Sequence, residues 1–245
     1  MKWVVCAGLA LFAGCGSQPI VPLEPQDLER KIDHFSQGLV LKRRAEAQTG
    51  QYQNELYSEA LEEFKASEKQ ATHTYVSILN QAECLIYLQR RKEALELANQ
   101  ALSQKPTSSA YSISGLVNLH LNNHDAARYD CSKALDLDAS NANALWTRAT
   151  SYYRERDMPK TLDDVKKYIE LRPDEPDGHF FATRAYLLMR LMPENQARQK
   201  ELTNEICASM KRTLELTDSG KRFRRGEFAP SIDQLRHQYE KFKNQ

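Results

Sequence analysis

His120 and His124 stand four residues apart with Asp125 beside them. On an unbroken helix that spacing would set two imidazoles on one face, as a zinc site requires. No third ligand accompanies them. The run Asn122-Asn123-His124-Asp125 is also a turn signal, because Asn and Asp bond their own backbone and tolerate turn geometry. The two histidines therefore read as solvated turn residues, and no metal is expected. The carboxylate pairs Glu62-Glu63 and Asp163-Asp164 read as solvated faces of outer helices. Hydrolase signatures of the GxSxG or HExxH type are absent. Gly115 is the only glycine between Gln51 and Asp177, so no glycine-rich loop brings backbone amides against a phosphate. No catalytic residue, cofactor or small-molecule substrate is expected. Cys84 and Cys131 lie in helical segments without a CxxC pair, and with Cys207 they read as small apolar side chains.

Lys plus Arg number 34 against 33 Asp plus Glu over 245 residues, a net charge of +1. With that balance no global field draws the chain to nucleic acid, so any partner must be chosen locally. A hydrophobic share of 41% and a charged share of 27% are those of a folded chain.

The small residues carry the organisation. Gly115, Ala127 and Ala134 lie on two helical segments around the Asn122–Asp125 turn, with Leu135 and Leu137 on the apolar side. Ala82, Ala94 and Ala101 precede them by 33 places each, and Ala149, Thr161 and Tyr168 follow them by 34 each. Pro106, Ala139 and Pro173 recur in the same register. Ala60 and Ser67 stand 34 before Ala94 and Ala101 and predict one more unit upstream. The predicted architecture is all-α, a stack of helix pairs.

Over roughly residues 41 to 175 the chain resembles the tetratricopeptide repeat family, whose 34-residue helix pairs carry small residues at unit positions 8, 20 and 27. Thr161 and Tyr168 replace two expected alanines, so the match rests on spacing. The resemblance implies a right-handed superhelix that binds proteins along the face lined by the first helix of each unit. On that face it places Leu79, Glu83, Ile86 and Tyr87, then Ser112, Leu116, Leu119 and His120. Trp146, Thr150, Tyr153 and Arg154 come next, followed by Phe180, Arg184 and Leu188 in a degenerate unit. As a groove, Tyr87, Leu116, His120, Trp146, Tyr153, Arg154, Phe180 and Arg184 suit an extended peptide or an amphipathic helix. Trp146 and Phe180 are equally placed to fill gaps between helices. Repeats that clamp the carboxyl end of cytosolic chaperones need a Lys, Asn and Arg set. Here Asn80 stands alone, with Ala45, Thr49, Ser109 and Ile113 in the partner places, which excludes that variant.

Residues 1–14 have one cation, Lys2, ahead of an apolar run from Trp3 to Ala13. That run is too short for a bilayer, which takes roughly 20 residues, and has the length of a signal peptide's apolar region. Phe12-Ala13-Gly14-Cys15 resembles the lipobox of bacterial lipoproteins, which implies lipidation at Cys15 and anchoring by several acyl chains. A plain signal peptide or an uncleaved anchor is the other reading. Gly16 is not the aspartate that retains lipoproteins at the inner membrane of enteric-type bacteria, so the resemblance implies an outer-membrane lipoprotein facing the periplasm. Pro19, Pro22 and Pro25 make residues 15–26 an extended spacer. Repeats are assigned to 27–175, from a helix capped by Asp27 and carrying Leu28, Ile32, Phe35 and Leu39.

Residues 176–216 predict a divergent capping pair, His179–Leu191 and Glu194–Leu216, with Pro193 in the first turn of the second helix. Residues 217–245 hold the basic stretch Lys221-Arg222-Phe223-Arg224-Arg225 and a last helix with Ile232, Leu235, Tyr239 and Phe242 in a stripe. The stretch suits either an anionic partner or a solvated loop. The functional expectation is a non-enzymatic, membrane-anchored scaffold that positions envelope proteins. Known lipoproteins of this architecture assist pilus or secretin assembly or bring envelope enzymes to their targets. The alternatives are a structural protein whose groove is filled by its own terminal helix or a second copy, and an enzyme with a site in the C-terminal helices.

Overall fold

Gln89, Asn122 and Arg156 hold left-handed backbones, with φ of 62°, 61° and 64°, at intervals of 33 and 34 residues. A computed structural model describes residues 33–71, 73–223 and 230–244, and its middle repeats around these three residues. After each one a backbone amide reaches back to close the helix end: Arg90 to Leu85 at 2.9 Å, Asn123 to Asn118 at 2.8 Å and Asp157 to Tyr152 at 3.0 Å. A left-handed residue that is not glycine costs roughly 1 kcal/mol. The recovered carbonyl bonds offset that cost.

Among the described residues there are eleven α-helices, one 3₁₀ segment and no strand. They run α1 His34–Glu46, α2 Gln51–Lys69, α3 Thr74–Tyr87, α4 Arg91–Gln104, α5 Ser108–His120 and α6 His124–Leu137. There follow α7 Ala142–Arg154, α8 Met158–Leu171, α9 Pro176–Leu191, α10 Gln199–Asp218 and α11 Ile232–Lys243. Each helix packs on the next in sequence, and α3, α5 and α7 also pack side by side. Side-chain caps start the later helices: Thr107 accepts from the Ala110 amide at 3.2 Å, and Asn141 accepts from that of Ala144 at 3.0 Å.

The small residues act as their spacing predicts. A Cβ on Gly115 would lie 2.6 Å from Cys131 Sγ and 3.2 Å from the Ala127 carbonyl oxygen, so α5 and α6 cross where only hydrogen fits. Ala82, Ala94, Ala101, Ala127, Ala134 and Ala149 are all fully buried. Leu137 departs from expectation: it is 58% exposed, while Leu135 packs on the core.

The carboxylate pairs are not simply solvated. Asp164 is buried and accepts two bonds from Arg148, at 2.8 and 2.7 Å. That guanidinium also donates to Ser132 on α6 at 2.9 Å, joining three helices. Asp130, 34 residues earlier in the same place, is held by Ser114 and Asn118 at 2.7 and 2.9 Å. Glu63 meets His34 at 2.6 Å and Glu62 meets Lys65 at 2.8 Å.

The two ends leave the 34-residue register. Ala60 and Ser67 are buried on α2 as the repeat predicts, but α1 ends before Gln48, the residue 34 places ahead of Ala82. Gly38 supplies the close approach here, with its Cβ direction 2.7 Å from the Phe64 ring. Asp33 caps α1 by accepting from the Ser36 amide at 3.1 Å. The predicted cap at Asp27, with Leu28 and Ile32, lies outside the described residues. At the other end a 3₁₀ turn over Pro193–Arg198 precedes α10, where one helix from Glu194 is expected. Asn195 and Gln199 draw this turn inward by donating to the Met189 and Arg190 carbonyls at 2.9 and 2.7 Å. The last helix packs on α10: Leu235 is 1% exposed within the cluster holding Leu202, Ile206 and Met210. Arg190 lies over Phe242 at 5.2 Å. No helix among the described residues is long and apolar enough to cross a membrane.

Candidate functional site

The first helices of successive units present one continuous face. A cleft of about 130 Å³ is lined by Lys42 and Glu46 of α1, Glu83 and Tyr87 of α3, Ser112, Ile113 and Leu116 of α5, and Asn143 and Thr147 of α7. A second cleft of about 210 Å³ shares Glu83, Ser112, Ile113 and Asn143 and extends to Val76, Leu79 and Asn80. The face thus mixes short polar groups with aliphatic ones, as peptide-binding surfaces do.

The groove residues expected from sequence do not form one surface. Tyr87 and Leu116 line the cleft, and Tyr87 is braced by its ring stacked on Tyr57 at 4.5 Å. Tyr153 and Arg184 form a second group, with the guanidinium 5.2 Å over the ring and Tyr153 edge-on to Phe181 at 5.4 Å. Trp146 stands apart from both. It is 3% exposed and packs against Tyr168 at 5.1 Å and Phe181 at 4.9 Å. Held between those two rings, the indole lies beneath the groove floor. Phe180 remains partly exposed, and the chain's own Phe223 meets it edge-on at 5.9 Å. That contact brings the start of the basic stretch onto the face. Lys221 in the same stretch lies 3.8 Å from Asp174. Arg224 and Arg225 lie outside the described residues.

His120 ends α5 and is partly buried. Burial, Arg154 and Arg91 together push it down to about 4, so its ring is neutral at neutral pH. Arg154 donates to the Leu119 carbonyl at 3.1 Å and to Asn122 Oδ1 at 3.4 Å. His124 begins α6, on the far side of the turn, so the two histidines do not share a helix face. No cluster of His, Cys, Asp and Glu among the described residues is arranged to hold a metal ion. Cys84 and Cys131 are buried free thiols. Burial pushes Cys84 up to about 12, which leaves it an unreactive packing residue.

Two features of the face were not legible in sequence. Lys42 donates to Asn80 at 2.9 Å and pairs with Glu83. Burial works against its charge, but the Glu83 carboxylate prevails and raises its pKa. Asn80 also donates to the Val76 carbonyl at 2.9 Å. Its amide is thus engaged within the chain, and Lys42 is neutralised. Arg91, at the start of α4, is the second, since its charge bears on His120 of α5.

No family model matches the chain. Mouse sperm-associated antigen 1 is 35% identical over 83 residues, 34% of this chain and 9% of that protein. Heat shock protein STI1 of Saccharomyces cerevisiae is 32% identical over 123 residues, 49% of this chain and 18% of that one. The chain spans less than a fifth of the length of either relative. Among solved structures, a thermophilic TPR protein of Thermus thermophilus superposes with a TM-score of 0.59 at 17% identity, covering 85% of this chain and all of that one. That likeness of fold extends over far more of the chain than the sequence identities reach. Together with the repeated turn geometry and the buried small residues at 33- and 34-residue intervals, it shows that this chain has the tetratricopeptide-repeat fold.

Proposed function

We propose that the chain is a non-enzymatic scaffold that binds another protein along the face of α1, α3, α5 and α7. The observation that supports this most directly is the pair of connected clefts on that face, lined by both aliphatic and short polar groups. An extended segment laid there would meet apolar anchors at Leu79, Ile113 and Leu116 and hydrogen-bonding side chains at Ser112 and Asn143. The lipobox-like Cys15 supports attachment to the outer membrane of a bacterial cell through an acyl anchor. The three spaced prolines of residues 15–26 would hold the repeats off the membrane surface. Partners are then proteins of the envelope, brought together or positioned at the membrane.

A photo-crosslinking residue at Leu116 tests the face against one at Tyr129, which is 62% exposed on the outer helix α6. Adducts in intact cells are expected at Leu116 and not at Tyr129; the same adducts at both positions would remove the groove from consideration. For the anchor, Cys15→Ser should move the chain from the membrane fraction to the soluble one and abolish labelling by a palmitate analogue. Unchanged fractionation and labelling would refute lipidation.

A further inference from the structure

Along the lip where first helices turn into second helices, arginine and histidine recur with the repeat. Arg154 falls 34 residues after His120, and His124 falls 33 after Arg91. Arg91 with His120, and His124 with Arg154, thus occupy matching places in successive units. Other cations on this lip are already neutralised: Arg90 pairs with Glu93, and Arg128 with Asp125 and Glu155. Arg91 and Arg154 pair with no carboxylate among the described residues. Neutral acceptors hold them instead, Gln89 for Arg91 and the Leu119 carbonyl with Asn122 for Arg154.

Two nitrogens on the same lip, Arg91 Nε and His124 Nδ1, are buried without a hydrogen-bond partner. A buried polar group left unpaired costs about 1–3 kcal/mol, which an incoming acceptor can recover in part. Arg154 is tied to the carbonyl of Leu119, the residue before His120, at 3.1 Å, and the charges of both arginines bear on the His120 ring. Tyr87 and Leu116 of the cleft lie on the same first helices as this lip.

We propose that Arg91 and Arg154 receive a carboxylate side chain of the protein that occupies the groove, which therefore selects acidic peptides. The proposal rests on the protein-binding reading above. Guanidinium groups suit this role because their planar fork matches a carboxylate with two parallel bonds. Neutral acceptors pre-position Arg154, so little side-chain freedom remains to be lost on binding. With a net charge of +1, the chain offers a local site for one or two acidic groups and not a field for a polyanion.

The test is selection of peptides from a random phage-displayed library on the folded chain. Asp and Glu should be enriched about threefold over the library, and a Glu→Gln version of the best peptide should bind about tenfold more weakly, the effect of one lost charge pair. Selection on an Arg91→Glu, Arg154→Glu variant should enrich Lys and Arg instead. Arg154→Gln, milder and checked for folding by circular dichroism, should weaken the acidic peptide without altering the melt. The peptide should also raise the titration midpoint of the His120 ring proton resonances, which a purely structural role of the arginines would not produce. Binders without an acidic excess, or an excess unchanged in the double variant, would overturn the carboxylate site while leaving the groove. A selection that returns no binders would overturn the groove reading itself.

Discussion

The three middle units and the two ends solve the same packing problem differently. From α3 to α8 every helix is flanked on both sides, and helix lengths of 13 or 14 residues repeat with one turn geometry. At the ends the paired helices become unequal: α1 has 13 residues against 19 in α2, and α10 has 20 against 12 in α11. A stack of repeats cannot leave its last apolar face to water. Here α11 covers Leu202, Ile206 and Met210 at one end, and the Gly38–Phe64 contact tightens the pair at the other. A repeat is thus set by neighbours on two sides, and where one neighbour is missing the register is free to change.

Asp164→Ala should expose this contrast most strongly. Leaving Arg148 buried without its carboxylate costs about 3–5 kcal/mol. Chemical denaturation should show the whole stack losing stability together, because that guanidinium joins α6, α7 and α8. Leu235→Ala removes a fully buried side chain at the cap and should cost about 2–4 kcal/mol. Hydrogen exchange should then accelerate first in α10 and α11 and leave α3 to α6 protected; uniform acceleration would mean that the cap and the middle form one cooperative unit.

The smallest effect lies at the lip. The folded-state pKa of His120 is about 4, below the ordinary value of 6.5. Between those values the unfolded chain binds more protons, so stability should rise with pH across that window and fall as acid is added. Partial solvent access holds the contribution to about 1–2 kcal/mol. Thermal melts of His120→Gln should show a flatter dependence across the same window.

The middle of the fold was readable because a missing side chain at a fixed interval has one physical use, the close crossing of two helices. Gly115 and the alanines mark the helix pairs by their spacing alone. The turn at Asn122 was readable from its asparagines, although Gln89 and Arg156 adopt the same left-handed backbone without any composition signal, held there by their unit's hydrogen bonds. The groove was legible only in outline. Interval arithmetic places a residue on a face, but depth depends on what stands opposite: Trp146 sinks between Tyr168 and Phe181, while Tyr87 stays at the surface on Tyr57. Asp164 carries the same ambiguity, since a carboxylate on an outer helix is solvated unless an arginine from the neighbouring helix reaches it.

By itself, then, the amino-acid sequence determined that the chain is all-α, that it is built of 33- and 34-residue helix pairs, and where the turn at Asn122 falls, because these follow from local spacing and backbone chemistry. Tertiary structure decided the lengths of α2 and α10, the burial of Trp146 and Asp164, the seat of the last helix on α10, and the reach of Arg154 to the Leu119 carbonyl. Each of those depends on contacts between residues far apart in the chain, whose distances no local pattern encodes.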